Sequence, residues 1–230
     1  VYKRQIQKRE NGWLRTLFLN LRLEEYETGT FDDGRSKLLT PGVSYSFVTE
    51  DYPPRPLEGH RSTVMTQGAV DGLVTDTSFL QLYGNTKWVF GMWSGGRLLT
   101  RAEAGATLID HLDSLPASVR YFAGGDTSVR GYAYKSLGPT DPLGAVVGGE
   151  NLLVGSIEFD QQIATDWSLA VFVDSGNAYD AIADFDPATG VGVGIRWFSP
   201  LGPIRFDVAV PLESDAPDEY RIHITLGPDL

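Results

Sequence analysis

The sequence contains no cysteine, which excludes a disulfide scaffold, a thiolate zinc site and a cysteine nucleophile. Basic residues are also scarce. There are 19 Lys and Arg against 30 Asp and Glu, a net charge of −11, so the positive surface of a nucleic-acid-binding protein is missing. No run of about 18 apolar residues occurs, which excludes a transmembrane helix. A transmembrane β-barrel is not excluded, because its apolar residues alternate with polar ones.

What the sequence does contain is period-two alternation of apolar and polar residues from end to end, a pattern typical of β-strands. Many of these runs reach the roughly 9–11 residues that cross a bilayer with tilt, whereas strands of soluble sandwiches are usually about 5–6 residues long. The pattern predicts eleven strands, at residues 2–9, 13–25, 36–50, 59–71, 76–91, 97–109, 152–160, 167–176, 191–198, 204–210 and 219–227.

Two features favour a membrane barrel over a soluble β-sandwich, which alternation alone leaves open. Short connections at 163–166 and 199–202 alternate with longer ones at 178–188 and 212–218, the asymmetry of outer-membrane barrels. Aromatic residues also stand near the ends of the apolar faces, as in an interfacial girdle: Trp13, Trp88, Trp167, Trp197 and Tyr220. We therefore predict an all-β fold, a single antiparallel transmembrane β-barrel domain over residues 1–230 in the outer membrane of a Gram-negative cell.

One long connection, residues 110–148, does not alternate and is rich in Gly, Pro, Ser and Asp. Loops of this length are usually functional or disordered. An extracellular loop with Gly-rich turns is one interpretation. We predict instead an ordered segment folded into the barrel lumen, because too many large apolar groups are present for a solvated tip: Tyr121, Phe122, Val129, Tyr132 and Tyr134.

The stretch 124–132 reads Gly-Gly-Asp-Thr-Ser-Val-Arg-Gly-Tyr. It resembles the VRGF/Y motif in the sixth extracellular loop of the BamA/TamA outer-membrane assembly superfamily. Further matches are Gly-Ser-Ile-Glu-Phe at 155–159, Phe-Val-Asp-Ser-Gly at 172–176, and the stretches 190–197 and 199–207. The stretches 132–136 and 226–230 are similar to the TamA family in particular. The resemblance covers about 120–230; before residue 110 it is mainly one of strand pattern.

The resemblance implies a 16-stranded barrel, so that the eleven strands are its C-terminal portion and five precede Val1. It also implies a non-enzymatic factor that helps to insert β-barrel or autotransporter proteins, with client outer-membrane proteins, membrane lipid and a TamB-like periplasm-spanning protein as partners. A lateral seam would lie beside the last strand, where we expect incomplete backbone pairing because Pro228 cannot donate. The seam residues are Arg221, His223, Thr225 and Gly227.

The residues of the loop motif suggest a physical role. Alternation places Glu158 and Asp174 on the same lumen-facing side of consecutive strands, where two carboxylates need a cation. Arg130 can supply one, since a guanidinium bonds carboxylates bidentately, and the resemblance implies the same contact. We predict that Arg130, within the motif Val129, Arg130, Gly131 and Tyr132, latches the loop to Glu158 and Asp174.

No catalytic, cofactor-binding or metal site is predicted. A pair of facing carboxylates also suits a glycosidase, but a cation is available and no aromatic sugar platform is evident. His60, His111 and His223 lack metal-ligand spacing, and neither a nucleophile elbow nor a phosphate loop occurs. A passive barrel remains as the alternative function: a channel, or a membrane anchor for an N-terminal effector such as a lipase.

Overall fold

The computed structural model describes residues 1–28, 31–51, 55–72, 75–200, 202–213 and 219–230, without the side chains of 25–35. Its strands are β1 (Tyr2–Glu10), β2 (Trp13–Thr28), β3 (Phe31–Glu50), β4 (Gly59–Ala69), β5 (Phe79–Gly91), β6 (Gly96–Ile109), β7 (Asn151–Ala164), β8 (Trp167–Tyr179), β9 (Ala188–Ser199), β10 (Gly202–Pro211) and β11 (Arg221–Leu226). Two short 3₁₀ turns, Leu112–Ser114 and Ile182–Asp184, lie in the connections after β6 and β8. In the described ranges no helix is long and apolar enough to cross a membrane.

The strands form one antiparallel sheet in chain order from β1 to β11, which confirms the predicted fold class and the eleven strands. Some predicted boundaries are wrong. β3 begins at Phe31 rather than 36, because its pairing with β2 continues to Phe31 opposite Thr28 although the sequence there no longer alternates. β11 is shorter than 219–227: Gly227 follows it with φ of +141° and donates its N–H to the Pro203 carbonyl at 3.1 Å.

The two faces of the sheet are reversed relative to those of a soluble protein. On β2, Leu17 and Leu19 are exposed, whereas Thr16 and Asn20 are buried on the opposite face. On β8, Val171 is exposed and Asp174 is fully buried. We call the apolar exposed face the outer face and the polar buried face the inner face. This distribution suits strands that contact lipid on one side only.

The inner face curves around the connection between β6 and β7, residues 110–150, called here the β6–β7 loop. Arg22 of β2 donates to the Ser118 hydroxyl of this loop at 3.2 Å, and Gly131 of the loop donates to His223 of β11 at 3.0 Å. In a flat sheet β2 and β11 would be about 43 Å apart, at about 4.8 Å per strand. The sheet therefore curls around the loop. β1 and β11 are its edges, and no ladder joins them within the described residues.

An apolar core lies between the loop and the inner face. One part packs the loop against β7, β8 and β9, and a second packs it against β3, β4 and β5. The buried members of the first are Tyr121, Ala123, Val129, Tyr132, Leu152, Val154, Ala178 and Ala188. Those of the second are Leu38, Ala69, Phe79, Leu115 and Val119. The loop is thus ordered by hydrophobic burial as well as by its polar contacts.

Candidate functional site

Arg130 lies at the centre of a buried cluster of charges on the inner face. Its Nε and Nη2 donate to the two oxygens of Asp174 at 2.7 and 3.0 Å, a bidentate pair. Its Nη1 donates to Glu158 at 2.8 Å and to Asp207 at 3.1 Å, and its backbone N–H donates to Asp174 at 3.0 Å. The structure therefore brings Arg130 to both carboxylates named from the sequence, and adds Asp207.

A second arginine completes this cluster. Arg196 of β9 donates to Glu158 at 2.8 Å and to Asp207 at 2.5 Å, so both acids are shared between two guanidinium groups. Arg101 of β6 approaches Asp174 at 3.9 Å, which balances three carboxylates against three cations. We refer to the six residues as the arginine cluster: Arg101, Arg130, Glu158, Asp174, Arg196 and Asp207.

Arg196 and Asp207 were not predicted from the sequence as members of this cluster. Alternation places both side chains on the inner face, Arg196 on β9 and Asp207 on β10. Asp207 pairs with Gly194, which lies two residues before Arg196. That alternation was the available signal. Alternation does not predict that the loop reaches β10, because only the curvature of the sheet lets the Arg130 side chain contact both β7 and β10.

The charged form of Arg130 is strongly favoured by this setting. Burial alone would lower the pKa of its guanidinium, but the hydrogen bonds and charge of Asp174, reinforced by Glu158 and Asp207, raise that pKa above its ordinary value. The guanidinium carbon also lies 3.3 Å from the centre of the Phe172 ring, a cation–π contact. Arg130 is thus held as a cation between acids and an aromatic face.

Glycines of β9 make room for the loop. Gly190, Gly192 and Gly194 face inward, and a Cβ at Gly190 would lie 1.8 Å from the Arg130 carbonyl oxygen. A Cβ at Gly194 would meet a carboxylate oxygen of Asp207 at the same distance. On the loop, Gly131 has φ of +98°, a conformation that glycine adopts most easily. The alternate glycines therefore form a trough in the wall beneath the arginine cluster.

The other residues of the motif are anchored too. Val129 is completely buried in the apolar core. The Tyr132 hydroxyl donates to the carboxylate of Glu213, just beyond β10. Each residue of the motif therefore contacts the wall of the sheet.

His223 joins the motif to the last strand. The Gly131 N–H donates to its Nε2 at 3.0 Å, so Nε2 is the unprotonated nitrogen and Nδ1 carries the proton that bonds Asp126. His223 is buried, with 3% of its surface exposed. Arg221 and Thr225 lie on the same inner face of β11, opposite Ala209 and Arg205. The other edge of β11 has no strand partner among the described residues.

A second charged cluster lies where the chain leaves β11. Asp229 forms ion pairs with Arg205 of β10 and with Arg97 of β6, the latter at 2.8 Å. Arg97 also pairs with Asp160 at 3.0 Å. Burial alone would raise the pKa of Asp229, but Arg205 and Arg97 hold it below its ordinary value. The segment after β11 is thereby fixed against the inner face.

The ion pairs of Arg130 connect the loop to β7, β8 and β10. Glu158 and Asp174 both accept from Arg130, so the proton donor that a glycosidase requires is not available from this pair. The His60 ring stacks on the Trp88 ring with 4.4 Å between the ring centres, whereas His223 contacts the β6–β7 loop. No group of His, Asp and Glu that could hold a metal ion occurs in the parts of the chain that the structure describes.

Comparison with known proteins gives a consistent picture. The sequence profile of the Omp85 superfamily domain matches residues 8–229. The chain is 26% identical over 236 residues to the outer membrane protein assembly factor BamA of Nitratidesulfovibrio vulgaris, covering 94% of this chain and 30% of that protein. It is 29% identical over 213 residues to the BamA of Neisseria meningitidis serogroup B, covering 75% of this chain and 26% of that protein.

A solved structure shares the fold. The crystal structure of BamA from Haemophilus ducreyi lacking POTRA domains 1–3 matches with a TM-score of 0.76 at 20% identity, covering 95% of this chain and 52% of that one. The chain spans less than a third of the length of the two curated relatives. Both relatives are BamA proteins, so the predicted likeness to the superfamily and the outer-membrane location are confirmed, without the narrower likeness to TamA. Since the profile covers nearly every strand, the chain belongs to the Omp85 superfamily.

Proposed function

We propose that this chain forms part of the barrel of a non-enzymatic factor that inserts other β-barrel proteins into the outer membrane. The observation that carries the proposal is the link from the loop motif to an edge strand. Gly131, next to the buried Arg130, bonds His223 of β11, and the far edge of β11 has no partner among the described residues. A strand edge with free backbone groups is a template for another strand.

In this proposal the arginine cluster is the latch that keeps the β6–β7 loop inside the barrel. The loop contacts β7, β8 and β10 through Arg130 and β11 through Gly131. The loop therefore connects these four strands on the inner face of the sheet, beside the proposed seam. A client strand that adds to β11 would meet an edge whose inner face is already held in place by His223. The latch limits how far β11 can move when the seam opens.

The narrower TamA-type role, with autotransporter clients and a TamB-like partner, rests on residues 132–136 and 226–230 alone. Tyr132 of the first stretch bonds Glu213, and Asp229 of the second forms ion pairs with Arg97 and Arg205. Co-purification of a periplasm-spanning protein with the full-length protein from native membranes would support that role. Purification without such a protein would count against the TamA-type role.

The function is tested with the full-length protein reconstituted into liposomes. An unfolded outer-membrane protein is added, and its insertion is followed by heat-modifiable gel mobility. We expect faster insertion than in empty liposomes and than in liposomes that hold an unrelated closed barrel. Ion conductance without faster insertion would contradict the proposal and favour the passive channel.

A further inference from the structure

All five tryptophans lie near the short-connection end of the sheet. Trp13 begins β2 after the two-residue turn from β1, Trp167 begins β8 after a similar turn, and Trp197 lies close to the end of β9. Trp88 and Trp93 flank the end of β5. Tryptophan concentrates at the boundary between hydrocarbon and headgroups. This end of the outer face is therefore the level at which lipid headgroups meet the protein.

A groove of about 480 Å³ opens on the outer face at this level. Its walls are Trp13 and Arg15 of β2, Tyr45 of β3 and Val64 of β4, with Glu10 and Asn11 at the turn. The strand register explains its shape, because Arg15 pairs with Tyr45, and Tyr45 pairs with Val64. The groove is thus apolar along its length, with Arg15 at one side and Glu10 at the turn.

Two cations, Lys8 and Arg15, stand side by side at the polar side of the groove. Lys8 of β1 pairs directly with Arg15, and like charges directly opposite each other are destabilising. Glu10 forms an ion pair with Lys8 at 3.1 Å, but Arg15 has no hydrogen bond or ion pair with any residue that the structure describes. Arg15 lies two residues further along the strand than Trp13, about 5 Å nearer the bilayer centre for a tilted strand. An unpaired cation becomes costlier with that depth.

We infer that this groove binds a phospholipid with an anionic headgroup, its phosphate between Lys8 and Arg15 and one acyl chain along Tyr45 and Val64. The phosphate supplies the missing partner of Arg15 and separates the two cations. The acyl chain covers the apolar walls, and the Trp13 indole lies at the headgroup level. A bulk lipid without net charge offers no such compensation. The site is independent of the arginine cluster, which lies on the opposite face.

The test is native mass spectrometry of the full-length protein released from vesicles of phosphatidylglycerol and phosphatidylcholine in equal amounts. We expect phosphatidylglycerol to be retained preferentially. The double variant Lys8→Gln/Arg15→Gln should retain about 30-fold less of it, since each surface cation contributes about fivefold. The matched control is Lys3→Gln/Arg9→Gln, which removes the same charge from inner-facing positions of β1, outside the groove, and should behave as the unmodified protein.

A second variant tests the apolar part. Val64→Trp fills the groove and should reduce retention of both lipids, whereas the Lys8/Arg15 variant should reduce only phosphatidylglycerol. Heat-modifiable mobility confirms that each variant folds. Equal retention of the two lipids by the unmodified protein, an unchanged Lys8/Arg15 variant, or an equal loss in the Lys3/Arg9 control would each overturn the inference.

Discussion

Replacing Arg130 by alanine should release the β6–β7 loop from the wall. The side chain donates four hydrogen bonds: two to Asp174, one to Glu158 and one to Asp207. Its loss leaves the three buried carboxylates of the cluster with two cations, Arg196 and Arg101. Arg101 lies 3.9 Å from Asp174. Removing one partner from a buried charged cluster costs about 3–5 kcal/mol. That energy corresponds to a change of roughly 10²- to 5 × 10³-fold in the ratio of docked to released loop.

Hydrogen exchange of the full-length protein measures this ratio. Within the loop, Ala123 N–H donates to the Leu137 carbonyl at 2.9 Å and Leu137 N–H donates to the Ala123 carbonyl at 3.1 Å. In Arg130→Ala, peptides over 121–137 should therefore lose protection. Arg130→Lys should lose less, because lysine keeps the charge but cannot fork between carboxylates. Arg22→Ala is the control: its bonds to Ser118 are exposed and are worth about 1 kcal/mol or less. Full protection in Arg130→Ala, or an equal loss in Arg22→Ala, would refute the latch.

Three further changes follow from the same contacts. Asp174→Asn should weaken loop protection more than Asp207→Asn, because Asp174 accepts three bonds from Arg130 and Asp207 accepts one; equal effects would contradict this order. Gly190→Ala should weaken the docking of the loop by about 1–3 kcal/mol, measured by thermal melting or hydrogen exchange. Gly155→Ala should leave it unchanged, because the space around the Cβ position of Gly155 is open. Because the pKa of Asp229 is lowered in the folded state, the stabilisation by its ion pairs should be present above pH about 4 and lost as the pH falls further. The protection factors of the amides in 227–230, corrected for the intrinsic exchange rate at each pH, should therefore fall on acidification, but not below those that Asp229→Asn shows at neutral pH.

Strand number and facing were predictable from sequence because alternation with a period of two is enough to assign each side chain to a face. Glu158 and Asp174 could be placed together for this reason, since β7 and β8 are consecutive. Asp207 could not be joined to them from pattern alone. It is three strands away from β7, and its approach to Glu158 depends on the curl of the sheet and on the missing side chains of the β9 glycines.

The contacts of His223 show a second limit of the same kind. Alternation along β11 is enough to place its side chain on the inner face, but its partners, Asp126 and Gly131, come from the β6–β7 loop. That loop has no periodicity, so its path depends on glycine conformations and on burial of Val129 and Tyr121. The early start of β3 was missed because hairpin pairing can extend a strand through residues that do not alternate.

The most direct test of the proposed function is the rate at which the full-length Arg130→Ala protein inserts a client barrel into liposomes. The variant must first show the heat-modifiable mobility of a folded barrel and a released loop by hydrogen exchange. We expect insertion to be slowed, with Arg130→Lys intermediate between the variant and the unmodified protein. Insertion at the unmodified rate with the loop released would contradict the claim that the buried Arg130 latch serves assembly.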